Sequence, residues 1–192
     1  MATKTNTRIF YIIVVVAILL TMSACTENDT LKNIEDCYQI HTNSDLTYSY
    51  EIMNLRGNVI YSESSVIKAP TIKPLSSSVL EVSAQAGTGL STNRAVFCDV
   101  KNSNVSETFH YVLGAKDGYV FYVNYENQVH TIICRNIFNP KALTQEYRVD
   151  DELVVLDSFS KADFETEGVA KISYLTGDAA ITQEYITIYF PQ

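Results

Sequence analysis

From Thr47 onward, apolar and polar side chains alternate with a period of two, and a chain patterned this way can bury its apolar half only by forming sheets. Tyr48, Tyr50 and Ile52 share one face, while Thr47, Ser49 and Glu51 share the other. Asn54-Leu55-Arg56-Gly57-Asn58 is a turn and Val59-Ile60-Tyr61 begins the return, so residues 47–66 read as a hairpin closed off by Pro70 and Pro74. Leu80, Val82 and Ala84 alternate against Glu81, Ser83 and Gln85 in a third strand that stops at Gly87-Thr88-Gly89. Arg94 to Val100 is apolar on both faces, which places it centrally. Lys101 to Ser106 is a polar turn, Glu107 to Leu113 is a strand, and Lys116-Asp117-Gly118 turns the chain into Tyr119–Tyr125 and then Val129–Cys134. Gly168–Tyr174 and Thr182–Phe190 form a last hairpin across Thr176-Gly177-Asp178-Ala179. Ala142–Val149 suits an edge strand or one helical turn, and Asp163-Phe164-Glu165 is too short to classify.

No segment in this region repeats apolar residues at helical spacing, so helix content is expected to be low. The pattern predicts an all-β fold over residues 46–192, an antiparallel β-sandwich or barrel-like domain of about nine or ten short strands. Propeller-like sheets are the alternative. They rank lower because ~40 to 45 residues per blade leaves room for only three or four blades.

The N-terminal end carries a different pattern. A polar start with Lys4 and Arg8 precedes the apolar run Ile9–Leu20, and Thr21-Met22-Ser23-Ala24-Cys25 supplies small residues for a signal peptidase. The run is short for a membrane span, which needs roughly 20 apolar residues. A cysteine directly after Ser23-Ala24 resembles the bacterial lipobox, with Met22 where Leu is usual. This reading makes residues 1–24 a lipoprotein signal peptide and Cys25 the lipidated first residue, carrying palmitate-type chains. The protein would then be anchored in the cell membrane, facing outside the cytoplasm. A plain secretory peptide or an uncleaved N-terminal anchor are the alternatives. Residues 25–45, polar and rich in Asn, Asp and Thr, read as a flexible tether reaching on the order of 25 Å.

Acidic side chains outnumber basic ones by 22 to 14, for a net charge of −8, and removal of Lys4 and Arg8 with the leader makes the remainder two units more negative. Such a surface repels phosphate backbones and anionic headgroups, so nucleic acid is excluded as a partner and membrane attachment falls to the acyl chains. Three cysteines remain besides Cys25: Cys37, Cys98 and Cys134. An odd number cannot all pair within the chain. Cys98 and Cys134 both sit in apolar strand-like runs, where a thiol serves as a small buried hydrophobe. Free thiols are favoured, with a Cys98–Cys134 bridge as the alternative.

The search for chemistry returns little. His130 and Cys134 stand four strand positions apart, or ~13 Å at about 3.3 Å per residue, too far to share a zinc ion. His41 and His110 belong to other segments. No Gly-x-Ser-x-Gly elbow occurs, and Ser76-Ser77-Ser78 reads as a turn. Gly87-Thr88-Gly89-Leu90-Ser91 has no following Gly-Lys-Ser/Thr and reads as a hairpin or bulge rather than a phosphate cradle. Asp150-Asp151-Glu152 lacks the spaced ligands of a calcium loop. Tyr48, Tyr50, Tyr119, Tyr122 and Tyr125 suit core and cross-strand pairing, with an exposed aromatic platform as the alternative. No catalytic, cofactor-binding or metal-ligating residue is assigned, and no cofactor is expected. The expectation is a non-enzymatic extracytoplasmic domain that binds a protein or glycan ligand. Its alternative is an envelope hydrolase acting on glycans through paired carboxylates, which spacing alone does not reveal.

Several pieces occur in order along residues 48–190. Gly87-Thr88-Gly89 leads to Phe97-Cys98-Asp99-Val100, followed by Ser106-Glu107-Thr108-Phe109 and by Gly118-Tyr119-Val120 with Tyr122. Ile132–Phe138 and Ile172–Gly177 complete the series. Together they resemble the pattern of an uncharacterised family of lipoproteins and exported β proteins from Gram-positive anaerobes. The chain departs from that pattern at Cys98, where the family has Tyr, at Cys134, where it has Val, and at Asn136, where it has Asp. The resemblance therefore implies that neither thiol has a required disulfide partner. It implies no activity and no catalytic residues.

Overall fold

The computed structural model describes residues 32–85, 93–127, 129–149, 158–177 and 182–191. The leader 1–24, the expected lipidation site Cys25, Gly87-Thr88-Gly89, Asp150-Asp151-Glu152 and Asp178-Ala179 lie outside them.

Among the described residues the chain is all-β, with a short 3-10 turn at Ile34–Asp36. The strands form four antiparallel sheets, none of them closed into a barrel. The first holds β1 (Tyr38–Thr42), β2 (Tyr48–Met53) and β3 (Val59–Val66). The second holds β4 (Thr71–Pro74), β5 (Val79–Gln85), β6 (Asn93–Asp99), β7 (Asn104–Val105) and β8 (Phe109–His110). The third is made of β9 (Val112–Lys116), β10 (Tyr119–Glu126), β11 (Val129–Asn136) and β12 (Gln145–Val149), and the fourth of β13 (Val169–Thr176) and β14 (Thr182–Tyr189). Every sheet is built from strands consecutive in sequence, and the fourteen strands among the described residues exceed the expected nine or ten, with β1, β4 and the two-residue strands β7 and β8 among those the pattern did not mark as strands of their own.

The sheets pack face to face like a sandwich repeated. Tyr50, Ile52 and Val66 of the first sheet bury against Leu80, Val82, Val96 and Cys98 of the second. The opposite face of the second sheet carries Phe97 and Phe109, which meet Val120 of the third sheet and Ile137 just beyond β11. The other face of the third carries Phe121, Val123, Ile132 and Cys134, which pack on Ala170, Ile172 and Ile188 of the fourth. The alternation along β6 and β10 therefore serves two cores at once. Val96 and Cys98 face one sheet and Phe97 the other, while Val120 and Phe121 divide the same way. This is why Arg94–Val100 reads as apolar on both faces.

The turns follow local chemistry. Asp117 (φ 51°) and Gly118 (φ 79°) occupy the left-handed pair that a two-residue hairpin between β9 and β10 requires. At Asn54–Asn58, Asn54 Oδ1 accepts from the backbone N–H groups of Arg56 and Asn58, each at 3.0 Å. Ser76 Oγ caps its turn by accepting from the N–H groups of Ser78 and Val79.

Two expectations need correction. A flexible tether reaching residue 45 is not what forms, because β1 pairs in register with β2, from Tyr38 opposite Ile52 to Thr42 opposite Tyr48. Cys37 just before it is fully buried in the first core. The stretch reads as polar because β1 is an edge strand whose residues after Tyr38 face solvent. Glu107–Leu113, expected as one strand, is divided between two sheets, as described below. Ala142–Val149 resolves in favour of the edge strand, β12.

Residues 160–164 strap the fourth sheet to the third. Asp163 exchanges backbone hydrogen bonds with Lys171 of β13 at 2.8 and 2.9 Å, while the Ala162 N–H donates to Leu113 O of β9 at 3.0 Å. Phe164 lies over Gly114, and a Cβ placed there would come within 3.0 Å of the phenyl ring. Gly114→Val should therefore lower stability by about 1–3 kcal/mol, the usual cost of overpacking, as a reduced urea midpoint with an unchanged slope.

Candidate binding clefts at the seam of the second and third sheets

The chain crosses from the second sheet to the third at Tyr111. Phe109 must bury against Phe97 in the second sheet, ring centroids 5.8 Å apart, whereas Leu113 belongs to the core between the third and fourth sheets. In a regular strand these residues, four apart, would share one face. The chain resolves the conflict by placing Tyr111 in the left-handed region, φ 50°, between β8 and β9. The pairing of β9 with β10 shifts register at Phe121/Tyr122, and the Val123 N–H donates to Tyr111 O at 3.2 Å. For a bulky aromatic residue this backbone is uncommon, and costs about 1–3 kcal/mol that the surrounding packing must supply.

Two clefts open on either side of this kink, and Tyr111 lines both. The larger, of about 420 Å³, is walled by Lys68, Ala69 and Thr71, by Ser83–Gln85 at the end of β5, by Arg94 and Ala95 of β6, by Tyr111–Leu113, and by Phe159 and Lys161. Its described lining contains three cationic side chains and no carboxylate. The smaller, of about 270 Å³, is lined by Glu107–Tyr111 and by Tyr122–Tyr125. It is aromatic and rich in hydroxyl and amide groups.

The cations of the larger cleft are held differently. Arg94 stands opposite Ala84 in the β5–β6 register, on the face turned toward the first sheet, and its guanidinium pairs there with Glu63. Glu63 is itself fixed, since its Oε2 accepts from Tyr50 Oη at 2.6 Å and from Tyr61 Oη at 3.4 Å. Burial pushes the Tyr50 phenol above its ordinary range, with Tyr61 adding to the shift, so it stays a donor. A bulge in β3, with Ser65 at φ 62°, inserts one residue, so that Glu63 and Val66 both face inward opposite Tyr50 and Tyr48. Lys161 Nζ donates to Val112 O at 2.7 Å, an interaction that positions the ammonium without neutralising it. Lys68 is exposed and has no hydrogen bond or ion pair among the described residues.

In the smaller cleft, Tyr122 packs against Phe109 with centroids 5.4 Å apart, and Tyr125, half exposed, lies 4.6 Å from the His130 ring. His130 is buried between Tyr125 and Phe159, and burial lowers its pKa by disfavouring the charged imidazolium. A third, smaller cleft beside it is lined by Val105–Glu107 and Arg135, and there Glu107 pairs with Arg135 at 2.7 Å.

The residues weighed from sequence are dispersed. The five tyrosines do not form one platform: Tyr50 is buried, Tyr48 packs on the first core, Tyr119 meets Phe190, and Tyr122 and Tyr125 alone share a cleft. His41 and His110 lie exposed on β1 and β8, and no group of His, Cys, Asp and Glu among the described residues could hold a metal ion. Cys37, Cys98 and Cys134 are all free and buried. Cys98 belongs to the core between the first two sheets and Cys134 to the core between the last two, which separates them too far to bridge. Burial pushes both thiols up to about 12, so they are inert as nucleophiles. Tyr111, Lys68, Arg94 and Lys161 were not marked by any motif.

Comparison with protein-family models, with curated proteins and with solved structures finds no match.

The kink offers a direct test. Tyr111→Gly and Tyr111→Val both remove the ring, but only glycine accepts the left-handed backbone freely. The valine variant should be the less stable of the two by about 1–2 kcal/mol in urea unfolding.

Proposed function

We propose that this chain is a lipid-anchored, extracytoplasmic binding domain, held in the cell membrane by acylated Cys25 and taking a saccharide ligand in the paired clefts at Tyr111. The observation that carries the ligand class is the composition of the smaller cleft. Tyr111, Tyr122 and Tyr125 line it together with Thr108, His110 and Asn124, so aromatic and hydrogen-bonding side chains stand side by side. Sugar rings present apolar C–H faces and an equatorial rim of hydroxyls, and such a lining serves both.

A glycan hydrolase needs two carboxyl groups about 5–10 Å apart across the scissile bond. Among the described lining residues of the three clefts, Glu107 is the only carboxylate, and it is engaged by Arg135. That favours binding over cleavage.

The address rests on Lys4 and Arg8, the apolar run Ile9–Leu20 and the lipobox-like Ser23-Ala24-Cys25. Six residues separate Cys25 from Lys32, where the described fold begins, and the seven extended steps between the two span at most about 25 Å.

Two measurements test the reading. Cys25→Ala should move the protein from the membrane fraction to the soluble or secreted fraction and abolish metabolic labelling with palmitate. Continued labelling overturns the anchor. Titration of the detergent-solubilised protein with a panel of soluble oligosaccharides, followed by tyrosine fluorescence, should give saturable quenching that Tyr125→Ala weakens at least tenfold. Binding indifferent to that substitution overturns the cleft assignment.

A further inference from the structure

We infer that the larger cleft makes the ligand an acidic saccharide, one whose carboxylate is received by Lys161 and Lys68 while its ring rests against Tyr111. This deepens the saccharide reading above and rests on it.

The motivating observation is a local inversion of charge. Acidic side chains exceed basic ones by 22 to 14 over the whole chain. Yet the larger cleft gathers Lys68, Arg94 and Lys161 and no carboxylate among its described lining residues. These three come from positions far apart in sequence: the link between β3 and β4, the start of β6, and the strap before β13. No single sheet's alternation places them together, and the fold does so only where the chain kinks at Tyr111.

Their charges are not equally committed. Arg94 spends its charge on Glu63, whose carboxylate is already fixed by Tyr50 and Tyr61, so Arg94 forms a neutralised floor. Lys161 donates to a neutral carbonyl and Lys68 to nothing among the described residues, so about two positive charges have no carboxylate partner among those residues. In an otherwise negative surface, a concave site with low-dielectric walls focuses that field outward and draws in anions. The surrounding negative charge repels an anion elsewhere, so the same arrangement gives selectivity as well as attraction.

The shared wall ties the charge to the sugar. Tyr111 lines the basic cleft on one side and the aromatic, hydroxyl-rich cleft on the other. A ligand spanning both must carry an anionic group next to a ring that stacks and hydrogen-bonds. A uronate residue within an oligosaccharide has these features.

The test uses the detergent-solubilised protein and a matched pair of probes, a galacturonate hexasaccharide and its fully methyl-esterified form, which share a backbone and differ in charge. Isothermal titration in 50 mM salt should show the acid binding at least tenfold tighter than the ester. The preference should fall below threefold in 0.5 M salt, because exposed charge pairs are screened there. The double variant Lys68→Gln/Lys161→Gln should lose the preference while keeping the affinity for the ester, a result that separates lost charge from lost fold. Equal binding of acid and ester by the unsubstituted protein overturns the charge assignment and leaves the saccharide reading standing. Binding of neither probe overturns the acidic-saccharide assignment, and a further lack of response to the whole oligosaccharide panel overturns the saccharide reading with it. A preference that survives in the double variant overturns the role of these two lysines.

Discussion

A pleated sheet has two faces, and the two middle sheets of this protein bury both of them. That demand shapes the rest of the structure. In β6, Phe97 and Cys98 are adjacent in sequence and each is fully buried, in different cores. In β10, Val120 and Phe121 repeat the arrangement. Strands of this kind leave few positions for charge, and Glu81, buried within β5, is held there by pairing with Lys73. Lys68, Arg94 and Lys161 stand where the stacked sheets give out.

The same demand explains the kink. A strand leaving the second sheet for the third must change which face it presents, and a period of two offers no smooth way to do so. Tyr111 absorbs the change in one residue of left-handed backbone. The clefts open on both sides of that residue because the regular stacking is interrupted there. The strained position and the binding position coincide for a geometric reason, as often happens where backbone strain collects at sites of recognition.

Much of the fold was legible in the sequence and much of the site was not. The strands around Tyr48–Ile52, Leu80–Ala84, Arg94–Val100 and Tyr119–Cys134 stood out because their alternation or double-sided hydrophobicity reports burial directly. β1 was hidden, since Gln39, His41 and Thr42 face water and look like a linker. β4 was hidden because it lies between Pro70 and Pro74, and proline at the end of an edge strand does not prevent pairing. The break at Tyr111 left no trace in the local pattern, because it is imposed by where Phe109 and Leu113 must go. The cleft cations could not be read at all: their proximity is a product of sheet stacking, and spacing along the chain carries no record of it.

The thiols carry a consequence for how the domain is held. Cys37, Cys98 and Cys134 are each sealed inside packed apolar surroundings, and none is cross-linked. The described body thus owes its cohesion to side-chain interlock and ladder pairing alone, with no covalent staple. Reductants such as dithiothreitol leave it nothing to lose, and the architecture is as attainable in a reducing cytosol as in the oxidising space beyond the membrane.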